Sequence, residues 1–131
     1  MRILVVEDDL LVAGMLRSFL GTRGHQVLLA GTGEEGFRAA IEEPLDAVFL
    51  DVVLPGLSGI GLLERLGQHR RSLPVVLISG QATEEEARAG LRLGALDYLS
   101  KPFNLDQLDI VLQALDVAQL SERTQSPRPC S

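Results

Sequence analysis

Cysteine is almost missing from this chain. Of 131 residues only Cys130 carries a thiol, so no internal disulfide can form, and a reducing, cytosolic setting fits. Positive charge is scarce too, with 12 Lys and Arg against 18 Asp and Glu and a net charge of −6. Sequence-independent binding to nucleic acid or to an anionic membrane needs a field of Lys and Arg, which is absent here. No apolar run is long enough to span a bilayer. Met1-Arg2 leads straight into Ile3-Leu4-Val5-Val6 and acidic residues, without the apolar core and small-residue cleavage site of a signal peptide. Internal repeats and heptads are lacking as well. What is left is an ordinary globular composition, 46% apolar and 23% charged, of a length that suits one domain.

The apolar residues fall into alternating short runs and helical stripes. Ile3 to Val6, Gln26 to Ala30, Ala47 to Leu50, Pro74 to Ser79 and Asp97 to Ser100 read as strands. Asp9 suits the cap of a first helix with Val12, Met15, Leu16 and Phe19 at helical spacing, ended by Gly21 and Gly24. Thr32 or Gly33 opens a second whose buried side is Phe37, Ala40 and Ile41. Ile60, Leu63 and Leu66 form one face of a third. The fourth is expected from about Thr83 to Leu93, with Thr83 as its cap and Glu84 to Glu86 favourable in its first turn. Leu105, Leu108, Leu112 and Leu115 stripe the fifth, which starts near Asn104. Five strands alternating with five helices predict a doubly wound α/β domain, a parallel sheet covered on both faces. Residues 1–120 are read as that domain. Residues 121–131, polar and proline-bearing, are read as a frayed tail or the start of a linker.

Ala47-Val48-Phe49-Leu50 reads as the central strand, and Asp51 is the first charge after it. In an open parallel sheet the ligand crevice lies outside the carboxyl ends of the strands. The residues expected at that rim are Glu7, Asp8, Asp51, Ser79 and Lys101. Each has a plain reading when taken alone: Glu7-Asp8-Asp9 as a helix-start cluster, Asp51 as a turn cap, Lys101 as a surface lysine, Ser79 as a strand-end hydroxyl. Their joint placement points further. Gathered carboxylates repel unless a cation sits among them, and an all-oxygen set suits Mg²⁺. With a lysine and a hydroxyl beside it, such a set serves phosphoryl transfer, which needs positioning and charge neutralisation above all.

On these residues the sequence resembles the receiver domains of two-component response regulators, over roughly residues 2 to 120. The motifs are Glu7 and Asp8 after the first strand, Asp51 with the Pro55 to Gly59 loop after the third, Ser79 after the fourth, Tyr98 in the fifth, and Lys101-Pro102 after it. Leu57-Ser58 stands where the family often carries Met-Asp, a departure that touches no phosphate ligand. The resemblance implies a flavodoxin-like sheet of strand order 2-1-3-4-5 and a phosphoacceptor at Asp51. It implies Mg²⁺ held by Asp8, Asp51 and the backbone carbonyl of Val53, with Glu7 acting through water and Asp9 as the second choice of ligand. Lys101 and Ser79 would bind the phosphoryl group, Lys101-Pro102 would be cis, and Ser79 with Tyr98 would form a switch. The implied partners are a sensor histidine kinase or a phosphotransfer protein, with a homodimer through the fourth helix, fifth strand and fifth helix as a further expectation. Neither direct nucleic-acid binding nor membrane binding is expected of this domain, and a cytoplasmic location is.

Three rival readings fare worse. Phosphatases with an Asp nucleophile place a second Asp two residues on as general acid, where this chain has Val53, so self-catalysed chemistry should be slow at most. A nucleotide- or flavin-binding module wants a glycine-rich turn after the first strand, where Glu7-Asp8-Asp9 would repel a phosphate. A phosphate-independent adaptor predicts lost acidic or Lys positions, and none is lost.

Overall fold

The computed structural model describes residues 1–70, 72–80 and 83–125. Among these, strands β1 (Arg2–Val6), β2 (Gln26–Ala30), β3 (Ala47–Asp51), β4 (Val75–Ser79) and β5 (Asp97–Ser100) alternate with helices α1 (Leu10–Thr22), α2 (Gly33–Glu42), α3 (Gly59–His69), α4 (Glu84–Arg92) and α5 (Leu105–Gln125). Every strand pair is parallel, and the order across the sheet is β2-β1-β3-β4-β5. This is the doubly wound, flavodoxin-like arrangement expected.

The strands read as continuous apolar runs because both faces of the sheet are covered. Successive side chains alternate between the faces. Ile3, Val5, Phe49, Val76 and Ile78 pack with Leu16 and Leu20 of α1 and with Leu108, Leu112 and Leu115 of α5. Leu4, Val6, Val48, Leu50 and Leu77 pack on the other face with Ala40 of α2, Leu62 and Leu66 of α3 and Ala87 of α4. Capping fixes where three helices begin: Asp9 accepts from Leu11 N at 2.9 Å, Thr32 from Glu35 N at 3.1 Å and Ser58 from Gly61 N at 3.1 Å.

Several expected details differ. Ile41, expected on the buried side of α2, is exposed, as are Met15 and Leu105 among the helical stripes, while Gly33, Gly36 and Leu62 take up contacts that the stripes do not predict. Thr83 stands at the start of α4 but does not cap it; its hydroxyl donates to Gly80 O at 3.3 Å instead of accepting from the helix. Helix α5 runs on to Gln125, five residues into the stretch read as a tail. Residues 126–131, with Cys130, lie outside the described residues.

The chain leaves β1 for β2 on one side and returns to β3 on the other, so a crevice opens beyond the carboxyl ends of β1 and β3. Register decides what faces it. Val6 pairs with Leu50, which brings Glu7 beside Asp51. Asp51 pairs with Ile78, and Ser79 with Ser100, so Ser79 and Lys101 follow along the same rim.

Candidate functional site

Asp51 ends a strand whose five residues are all buried, and it is itself only 5% exposed. A carboxylate in such a place must be hydrogen-bonded or paired. Its Oδ1 accepts from Val53 N at 2.9 Å, and its Oδ2 accepts from Lys101 Nζ at 2.9 Å. The ammonium also stands 3.0 Å from Glu7 Oε1, an ion pair outside hydrogen-bonding geometry, since that oxygen has no hydrogen-bond donor. Glu7 Oε2 accepts from Asp9 N at 3.1 Å. Lys101 is the only lysine in the chain. It is positioned from β5, where its own N–H donates to Ser79 O at 2.7 Å, and the Lys101-Pro102 peptide is cis, as the resemblance implied.

Burial sets the electrostatics. Desolvation, reinforced by the neighbouring Asp51, pushes the Glu7 carboxyl up to about 7. Desolvation pulls Lys101 down, but the hydrogen bond to Asp51 and the contact with Glu7 outweigh it and leave the ammonium above its ordinary value. Glu7, Asp8 and Asp51 each bring a carboxylate oxygen within 4.8 Å of the others, and a single ammonium, Lys101, pairs with two of the three, Glu7 and Asp51. Asp8 is exposed at the mouth. Hard oxygen donors at that spacing, with negative charge in excess, fit a small divalent cation that keeps some of its waters. Asp9 is not in the cluster, its carboxylate being engaged at the start of α1.

Ser79 completes the rim. It is fully buried, and its Oγ has no hydrogen-bond partner, which is unusual enough to want a reason. Tyr98, on β5, is half-buried and turned toward α4, its hydroxyl donating to Glu84 Oε1 at 3.2 Å. Sequence reasoning had Glu84 only as a first-turn acid; nothing in periodicity or spacing ties it to a tyrosine fourteen residues on. Val53, two residues past Asp51, is 58% exposed. All the residues expected at the rim are therefore brought together, with Tyr98 at its flank.

Residues 3–113 match the family described as the response regulator receiver domain. This chain belongs to that family. As a receiver domain it has extensive relatives among longer proteins. It is 42% identical over 114 residues to the transcriptional activator protein PfeR of Pseudomonas aeruginosa, covering 87% of this chain and 37% of that protein. It is 41% identical over 128 residues to the transcriptional regulatory protein TcrA of Mycobacterium tuberculosis, covering 98% of this chain and 49% of that protein. The receiver domain thus spans about half or less of these curated relatives. Among solved structures, NtrX of Brucella abortus in complex with ADP superposes with a TM-score of 0.89 at 33% identity, over 97% of this chain and 30% of that one. A CheY-like receiver domain protein of Methanospirillum hungatei gives 0.84 at 30% identity, over 92% and 97% of the two chains. Among the described residues, no helix of this receiver domain is long and apolar enough to cross a membrane.

Proposed function

We propose that this receiver domain is a switch thrown by phosphorylation of Asp51. The observation that carries the reading is the gathering at Asp51 of Lys101 and two further carboxylates, with a buried, unpartnered Ser79 hydroxyl at the end of the adjacent strand. A carboxylate oxygen of Asp51 forms the new O–P bond while the P–N bond of a phosphohistidine, on a sensor histidine kinase or phosphotransfer protein, breaks. A small acyl phosphate serves in the same way with its own P–O bond. Asp8, Asp51 and the carbonyl of Val53 would hold Mg²⁺, with Glu7 acting through water. Bound there, the ion would neutralise charge building on the phosphoryl oxygens. Lys101 exchanges its carboxylate partners for a phosphoryl oxygen, and Ser79 Oγ gains the hydrogen bond that it lacks. With Val53 where a phosphatase would carry a general acid, self-catalysed gain and loss of the group are slow.

The output is a conformational equilibrium. Ser79 turning toward the phosphoryl group frees space beside Tyr98, whose ring moves inward and alters the α4-β5-α5 face. That face then serves a partner, a second copy or a following effector; the relatives suggest a transcriptional regulator as the whole protein, cytoplasmic on our reading, with residues 1–120 as the receiver unit and 121–131 as a tail or the start of a linker. The domain itself binds neither nucleic acid nor membrane.

The test is labelling by acetyl phosphate with Mg²⁺, followed by intact-mass measurement. Wild type should gain one phosphoryl group and Asp51→Asn none. Equal labelling of the variant would refute the assignment, and labelling undiminished by EDTA would refute the metal.

A further inference from the structure

The contact between Tyr98 and α4 bears on how firmly the switch rests. One oxygen of Glu84, Oε1, accepts the Tyr98 hydroxyl at 3.2 Å and lies 3.3 Å from Arg88 Nη2, one helical turn along α4. Arg88 is drawn into the same cluster: the Tyr98 hydroxyl first, then the charge of Glu84, hold its guanidinium above its ordinary value. An exposed Glu-Arg pair at this spacing contributes little by itself. The tyrosine changes its meaning, because its ring joins the sheet edge to α4 and its hydroxyl ends on a charged acceptor.

On the neighbouring strand β4, Ser79 Oγ is fully buried without a partner. A ring moving toward Ser79, as the switch requires, must give up Glu84. The carboxylate, 35% exposed, keeps Arg88 and water, so the movement is opposed by one charge-assisted hydrogen bond and by no buried unpaired charge.

We propose that Glu84, steadied by Arg88, is a positioning residue that holds Tyr98 in its resting place and so sets how much free energy phosphorylation must supply to move it. This rests on the Ser79–Tyr98 switch proposed above and adds its restoring element. A ligand preferring the moved state binds more tightly when the resting state loses a stabilising contact.

The experiment is an NMR titration of the full chain with beryllofluoride and Mg²⁺, following the Tyr98 ring and the Ser79 amide. Removing the hydroxyl's acceptor with Glu84→Ala should lower the half-saturating beryllofluoride concentration by about three- to tenfold, the range that one net hydrogen bond supports. In the free variant, the Tyr98 resonances should already lie part-way toward their bound positions. Glu84→Gln, which keeps an acceptor oxygen, should restore much of the wild-type behaviour. The double variant Tyr98→Phe with Glu84→Ala should bind like Tyr98→Phe alone, since both changes break one contact. Unchanged affinity and free-state resonances in Glu84→Ala, with Tyr98 still responding to beryllofluoride, would overturn the latch and leave the switch standing. An additive gain in the double variant would overturn the latch as well. Tyr98 resonances that ignore beryllofluoride in wild type would remove the switch itself.

Discussion

The Glu7 side chain is wholly buried and faces both Lys101 and Asp51, and its carboxyl keeps its proton up to about pH 7 where an ordinary one would lose it near 4.5. In metal-free protein the unfolded chain therefore releases that proton first, and folding takes one up between those values. The sign follows: stability falls as pH rises from about 4.5 to about 7 and then levels off. The loss from this one group is on the order of a few kcal/mol. Urea unfolding in EDTA across that range should show it, and Glu7→Gln should flatten that part of the curve; a slope identical in the two proteins would exclude the carboxyl as its source. A divalent cation binds the deprotonated site, so Mg²⁺ should add more stability at pH 8 than at pH 5. The single lysine tightens the argument at Lys101, because no neighbouring amine is present to take its place.

Elements approach one another here through residues that lack side chains. At Gly59, the first residue of α3, a Cβ would run into the carbonyl oxygen of Asp51 and lie 2.7 Å from Val52 Cα. Backbone cannot yield there as a flexible side chain can. Gly59→Ala should therefore cost about 1–3 kcal/mol, the usual range for overpacking, and slow Asp51 labelling beyond what its melting temperature explains. Wild-type labelling in a folded Gly59→Ala protein would show that the strand end tolerates the push. The same kind of approach explains which helix faces were legible in the sequence. Short apolar runs made β1, β3 and β4 plain, with β2 and the shorter β5 read from weaker runs between turn residues, and Glu7, Asp51 and Lys101 stand out as charges at strand ends. Helix α2 was misjudged at Ile41 because apolar periodicity counts large side chains. The helix instead rests on Gly36, where a Cβ would meet Val6 at 2.8 Å and Leu62 at 3.1 Å, and this turns Ile41 outward. Thr83 looked like a cap from its residue type, yet its hydroxyl found Gly80 O within its own turn. The strand order came from the resemblance; the alternation of elements alone would have allowed other windings.

Across the whole molecule, the acidic crevice and the start of α5 lie at one end of the sheet. Helix α5 then runs back along the strands, and Gln119 donates to Asp46 O at 3.5 Å, beside the amino end of β3. The last helix therefore delivers the chain to the end of the sheet opposite the crevice. On the function proposed above, a phosphodonor approaches at one end, and anything joined beyond α5 lies toward the other. A large, rigid protein fused after Ser131 should leave the rate of labelling by a phosphodonor protein unchanged within error, whereas the same protein inserted in the Pro55–Gly59 loop should block it. A C-terminal fusion that slowed labelling as much as the insertion would mean that the two ends are not independent. On that reading the two ends are separate doors: a donor reaches the crevice without steric interference from whatever lies beyond α5, and the coupling between them runs through the fold rather than through crowding.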